Sequence, residues 1–284
     1  MLIKQYTLSA GILLMLFLSA CKKNSTVEED NPAAALNLYS ASDVQVKQSL
    51  NRYVFIDMPV DTVPAQNLAV PVFTNDQQEY PVVYHDPYHL ITYTRMTAGS
   101  HRLLFTDTGR LVIHDTALIL AKDSYTTLYI TDAGHTGEPA SYQSLSVAED
   151  RHGTPGRVRV RVINLSPDIG FISCYQEKAD GKTLFSPLPQ QLAFCKASDY
   201  VELDTTGATD GKLNLRVIAD DDPLNPLVLT RIPASPGHAY VMVVQGFRQA
   251  TTRQVPFGKN ADGSLKYRTT DITANVRVTL RQSY

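Results

Sequence analysis

At 284 residues and 43% hydrophobic, the chain is long enough for one large or two ordinary domains with sizeable cores. Its 26 basic and 28 acidic residues leave a formal net charge of −2, which excludes the broad positive footprint of a nucleic-acid binder and gives no sign of an acidic substrate. The 15 Tyr and 9 Phe, with no Trp, suit an all-β chain, since aromatic and β-branched side chains fit pleated surfaces.

Residues 1–20 stand apart from any fold. Lys4 forms a short basic start, and LSAGILLMLFLSA (residues 8–20) is an apolar run too short for an ordinary membrane span. It ends in Leu18, Ser19, Ala20 and Cys21, which resembles the lipobox of bacterial lipoproteins at every position. The resemblance implies a signal peptide cleaved before Cys21, acylation of the Cys21 thiol and a lipid-membrane anchor. Each buried methylene of such a chain contributes about 0.8 kcal/mol. Residues 21–33 then read as the acylated cysteine and a flexible tether, polar and without periodicity. Lys22 stands where an aspartate would resemble an inner-membrane retention signal, so the outer membrane is the expected location. Glu28, Glu29 and Asp30 are similar to surface-export tags, and a solvated linker explains them equally well. The periplasmic and cell-surface sides both stay open.

From residue 33 onward the apolar pattern has period two, in short runs broken by Gly, Pro, Asn and Asp, which predicts strands throughout. The pattern is also stated twice. Residues 35–43 (ALNLYSASD) match residues 159–168 (RVRVINLSPD), and 52–61 (RYVFIDMPVD) match 170–181 (GFISCYQEKADG). Residues 101–115 line up with 212–231, and 118–132 with 231–246. Each half closes on one more strand-like run, 141–150 and 273–281. Two units, each of about seven or eight short strands, suit a pair of β-sandwiches at residues 34–150 and 155–284. The turn formers of DRHGTPG (residues 150–156) divide them.

Three further marks are specific. They are the alternating strand that runs into Val162, Ile163, Asn164, Leu165, Ser166, Pro167 and Asp168, the AED…TPG lead-in before it, and PASPGHAYVMVVQG at residues 233–246. Together they resemble the bacterial family called domain of unknown function 4397. The match runs across residues 156–247 and more loosely across 35–132, where Ala41, Ser42 and Asp43 replace the Ser-Pro-Asp. The resemblance implies an all-β protein of two tandem immunoglobulin-like β-sandwich domains, exported by a bacterium. It brings no activity, cofactor or catalytic residue.

The search for chemistry starts with Arg157, Arg159 and Arg161. Residues two apart on a strand share a face at intervals of about 6.6 Å, so the arginines point one way and Val158, Val160 and Val162 the other. With no glycine nest or aromatic partner nearby, a solvated face is expected in place of an anion grip. In EYPVVYHDPYHLITYTR (residues 79–95), His85 and His89 have the spacing of a helical zinc pair, but Pro87 blocks that helix. On a strand they would stand about 13 Å apart, too far for one ion with bonds of about 2 Å. The stretch reads as a long inter-strand loop, and Tyr84, His85, Tyr88 and His89 form the candidate contact surface.

The run Asp220, Asp221, Asp222 lacks the spaced pattern of a calcium loop and reads as a hairpin tip. His114 and Asp115 suggest a triad, yet no Gly-x-Ser-x-Gly elbow supplies a nucleophile. With Cys21 committed to lipid, Cys174 and Cys195 are a candidate disulfide in an oxidising compartment, two buried free thiols being the alternative. No catalytic, cofactor or metal site is expected. The expected function is therefore a non-catalytic binding or scaffolding module of the cell envelope, directed at a protein or a polysaccharide. A pilus-like structural subunit, exchanging the strand at residues 273–280, is the second reading, and an envelope hydrolase the third.

Overall fold

The computed structural model describes residues 33–47, 52–60, 78–81, 90–178, 184–185 and 187–284. The signal, Cys21 and the tether up to residue 32 lie outside these residues, as do Tyr84, His85, Tyr88 and His89, whereas Ala33, expected in the tether, opens the first strand. Residues 33–284 form one compact unit, and its regular secondary structure is nearly all strand.

The first half contains β1 (Ala33–Ser40), a one-turn helix α1 (Asp43–Lys47), β2 (Tyr53–Ile56), β3 (Glu79–Tyr80), β4 (Thr94–Thr97), β5 (Gly99–Thr106), β6 (Val112–Leu120), β7 (Tyr125–Ala133) and β8 (Ser141–Glu149). The second half opens with β9 (Arg157–Leu165), β10 (Phe171–Glu177), β11 (Leu184–Phe185), β12 (Leu192–Ala193), β13 (Lys196–Ala197) and β14 (Val201–Asp204). It continues with β15 (Lys212–Ala219), β16 (Asp222–Pro233), β17 (Ala239–Gln245), β18 (Thr251–Lys259), β19 (Leu265–Ile272) and β20 (Arg277–Gln282).

Pairing follows one plan in both halves. The first inner sheet runs β3–β1–β7–β8, with β4 also on β1, and the second runs β13–β9–β17–β20, with β14 also on β9. In each the central contact is parallel, β1 with β7 and β9 with β17. The first outer sheet is β2–β5–β6 and the second is β11–β10–β15–β16, with β12 also on β10. The strands that the sequence matches across the halves, β1 with β9, β2 with β10, β5 with β15, β6 with β16, β7 with β17 and β8 with β20, hold the same places in the sheets. Strands β11 and β12 have no counterpart among the described residues of the first half. The hairpin β18–β19, inserted between β17 and β20, is a separate two-stranded sheet with no counterpart among the described residues of the first half.

Each inner sheet packs on its own outer sheet. Leu36, Leu38, Leu103, Phe105, Leu128 and Ile130 fill the first core, while Val158, Val160, Val162, Leu215, Val217 and Met242 belong to the second. The inner sheets also pack on each other. Tyr39, Tyr129 and Val147 from the first meet Ile163, Leu165, Val241 and Val243 from the second. The order of layers is outer, inner, inner, outer. Strands β7 and β17 are thus covered on both faces, which is why their buried residues run on without alternation.

Candidate functional site

The three arginines of β9 define the seam between the inner sheets. Their valine neighbours face the second core as expected, but the arginine face is not solvated along its length. Arg157 is the wet end, half exposed and paired with Asp204 at 2.8 Å. Arg159 binds Asp150 at 2.7 Å and the His152 carbonyl at 2.8 Å. Arg161 is buried and donates to the Ala148 carbonyl at 2.7 Å and to Glu149 Oε2 at 3.3 Å, both on the first half. Tyr200 lies under both inner guanidiniums, with its ring centroid 4.7 Å from Arg159 and 4.3 Å from Arg161, and its hydroxyl donates to the same Glu149 oxygen at 2.9 Å. A second sheet covers these cations, and Glu149 and Asp150 at the end of β8 pair with them, although Arg161 Nε and Glu149 Oε1 are buried without a hydrogen-bond partner.

Arg281 of β20 does the same from the far strand. It is completely buried and donates to Glu79, Asn37 and the Tyr129 hydroxyl, lying over the ring of Tyr39 at 4.5 Å. Burial pulls its guanidinium down, and Tyr129, Glu79 and Tyr39 more than offset that, so it stays charged. Burial pushes the Tyr129 hydroxyl well up, keeping it neutral. Arg277 pairs with Asp43 at 3.0 Å, and the Thr131 hydroxyl donates to the Leu165 carbonyl at 2.6 Å. Among the described residues, these buried charges therefore form a clamp between the two halves.

The catalytic constellations weighed in the sequence come apart. His114 Nε2 and Ser144 Oγ lie 2.6 Å apart, bridging edge strands β6 and β8, and burial lowers the imidazole's proton affinity. Asp115, its neighbour on β6, points to the opposite face, where Arg102 holds it through two hydrogen bonds of 3.0 and 2.6 Å. A serine and a histidine meet, but the adjacent carboxylate does not orient them. Asp221 and Asp222 are both bound by Arg248, and Asp220 accepts the Ser173 hydroxyl at 2.6 Å, so the acidic run is a hairpin tip tied down by one arginine and one serine. Among the described residues no group of three or more His, Cys, Asp and Glu is placed to hold a metal ion.

The candidate disulfide is corrected to two free thiols. Cys174 points into the second core from β10, whereas Cys195 sits in the turn between β12 and β13 at φ +56°, its sulfur 4.0 Å from the Ser144 carbonyl. Burial pushes Cys174 up to about 12, with Asp220 adding to the shift, and raises Cys195 as well.

An apolar cavity of about 320 Å³ opens at the β2 edge of the first half, lined by Leu36, Val54, Met58, Tyr80, Met96 and His101. His101 is held there by Asp57 at 2.6 Å and the Thr97 carbonyl at 2.9 Å. In the second half Leu188, between β11 and β12, belongs to the core.

No protein-family model matches the chain, and no curated protein matches it.

The element that departs from the repeat is the hairpin. Its base is firm: Val255 and Ile272 pack with Val44 and Phe247, while Gln254 and Thr252 exchange backbone hydrogen bonds with residues 137–140 of the first half. Its outer part exposes Phe257, Leu265 and Tyr267, with Lys259, Lys266 and Arg268 on the same hairpin. Sequence reasoning passed over it. The signal was present, because residues 247–272 are surplus to the repeat and carry a polar turn, NADGS, between two strand-like runs.

Proposed function

We propose that the protein is an exported lipoprotein held at the outer membrane through acylated Cys21, whose tandem immunoglobulin-like domains, similar to domain of unknown function 4397, act as a non-catalytic binding or scaffolding module. Its partner is an envelope protein or polysaccharide. One observation carries the reading: the buried charges clamp two sheet pairs together, and the inserted β18–β19 hairpin leaves Phe257, Leu265 and Tyr267 exposed on that rigid frame. A rigid frame that presents an inserted element is how binding surfaces are usually built. The pairing of β20 with β17 over Arg277–Gln282, inside its own sheet, supports a self-contained module over a strand-exchanging subunit.

Fractionation of cells expressing the wild type and Cys21→Ala tests the anchor. The wild type should sediment with outer membranes and the variant should be soluble; identical fractionation defeats the anchor. Protease shaving of intact cells reports the side. An envelope pull-down and a glycan array that are both empty would defeat the binding role.

A further inference from the structure

The two inner sheets differ at one matched place on the faces they turn toward each other. On β9, Arg159 stands between Glu202 of β14 and Ala239 of β17, and its guanidinium lies over Tyr200, the residue before β14. The matching strand β1 carries Ala35 between Arg95 of β4 and Tyr125 of β7, and the residue before β4 is Tyr93. A methyl group thus replaces the long cationic side chain of the central strand, and a guanidinium replaces the carboxylate on its neighbour. Over β1 a cavity of about 350 Å³ opens to solvent, with Ala33 and Ala35 in its floor and Tyr93, Arg95, Asp123 and Tyr125 around it. That volume is in the range of small-ligand sites.

The aromatic wall is braced. Tyr93 and Tyr125 meet edge to face with ring centroids 5.1 Å apart. Arg151 of the linker lies over them at 5.7 and 4.6 Å, and its Nε donates to the Ser283 carbonyl at 3.3 Å. Tyr125 still keeps 39% of its surface in solvent. The backbone of the floor is already paired on both sides. Ala33–Leu36 pairs with β4, while Asp123 N donates to the Ala33 carbonyl and Ala35 N to the Ser124 carbonyl, each at 2.8 Å. Recognition therefore falls to side chains. Those of Arg95 and Asp123 are exposed and make no hydrogen bond or ion pair among the described residues. They flank β1 from opposite sides, Arg95 on β4 and Asp123 in the turn before β7.

We infer that this groove binds an acidic saccharide, a pyranose that carries a carboxylate. The apolar C–H face of the sugar would lie against Tyr125, an aromatic body with a polar tip. Its hydroxyls would donate to Asp123, and its carboxylate would take the planar, two-pronged hydrogen bond that a guanidinium offers. A neutral sugar would leave Arg95 without an anion. An extended peptide, which binds a sheet through backbone hydrogen bonds, would find the backbone of the floor already engaged.

The inference rests on the binding-module reading and names a polysaccharide as the partner. The test is isothermal titration calorimetry of the full chain in phosphocholine micelles with two uronic-acid probes, tetragalacturonate and a hyaluronan tetrasaccharide. At least one should bind saturably. Its methyl ester, which keeps the sugar and removes the charge, should bind at least about tenfold more weakly, as expected when a hydrogen bond to a charged group is lost. Arg95→Gln should bring the acid down to the affinity of the ester and leave the ester unchanged. The unfolding midpoint of that variant should match the wild type, since Arg95 is exposed and unpaired. Tyr125→Ala should weaken acid and ester alike. Failure of both acids to bind, equal binding of tetraglutamate, or an Arg95→Gln chain that still prefers acid to ester overturns the proposal. A pull-down that captures an envelope protein while both acids are ignored would sink the saccharide groove and leave the binding module standing.

Discussion

Arg281 and Glu79 stand 202 residues apart in the chain and meet at 2.5 Å between the inner sheets, with the arginine side chain 1% exposed. Glu79 also accepts from Asn37 Nδ2 at 2.8 Å, and Asn37 in turn accepts from Arg281 at 2.7 Å, so the cation sits in a closed ring of partners from β1, β3 and β7. Removing one member of a buried pair leaves the other charge uncompensated, at a cost of about 3–5 kcal/mol. Arg281→Ala should therefore lower stability by that amount in urea titrations. Arg281→Met combined with Glu79→Gln should recover part of it, because neither change then strands a charge. A loss below about 1 kcal/mol for Arg281→Ala would mean that the clamp is ornamental.

Asp132, at the end of β7, is wholly buried and takes the Ser42 hydroxyl, Asp43 N at 2.9 Å and Val44 N at 3.4 Å. Burial pushes its carboxyl up to about 7; the three donors oppose that shift and the Asp43 charge adds to it. Nearby charges are Asp43, itself paired with Arg277, and Arg253 on β18, whose guanidinium burial pulls down. An unfolded carboxyl with the ordinary value of 3.8 releases its proton first, so the folded state binds the extra proton between about 4 and 7. Stability from this group is present below that window and lost as pH rises through it. The wild type should thus lose ground relative to Asp132→Asn between pH 4.5 and 7.5, read as the difference in urea midpoints. A difference that does not change with pH would show that Asp132 is ionised throughout.

Much of the frame could be read without coordinates because strand alternation is a local property. Val158, Val160 and Val162 had to share a face, and their echo at residues 35–43 had to be the same strand of a second unit. What covered the opposite face was not local. Alternation says that Arg159 and Arg161 differ from the valines, but not that Glu149 and Tyr200 arrive from elsewhere in the chain to bury them. For the same reason the proximity in sequence of Cys174 and Cys195 did not reveal that one faces a core and the other a turn. The hairpin went unread because it breaks the repeat, and a search for what recurs discards what does not.

The cysteines give a direct chemical check. Native protein treated with iodoacetamide at pH 8 should show no label at Cys174, whose thiol is buried and held protonated, and slow labelling at half-buried Cys195. Both should label fully in urea without prior reduction. Peptide mapping that finds the two joined would contradict the arrangement around β10 and β12.

The junction between the halves is set by close backbone approach, and two glycines there separate packing from conformation. Gly153 lies against the turn before β17, where an added Cβ would stand 2.0 Å from the Gly237 carbonyl oxygen and 2.8 Å from the Tyr284 ring. Gly156 has φ +74° with open space around it, so a side chain there meets only its own backbone. Gly153→Ala must push the linker off the second half and should cost about 1–3 kcal/mol, as overpacking does. Gly156→Ala should cost about 1 kcal/mol from left-handed strain alone. Because the Arg159 guanidinium holds the carbonyl of His152, next to Gly153, the first substitution should also loosen the Arg159–Asp150 pair, while the second should leave it intact. Adding Asp150→Asn should then cost less in the Gly153→Ala background than in the wild type, by a double-mutant cycle. Equal costs in the two backgrounds would show that the linker and the arginine ladder are independent.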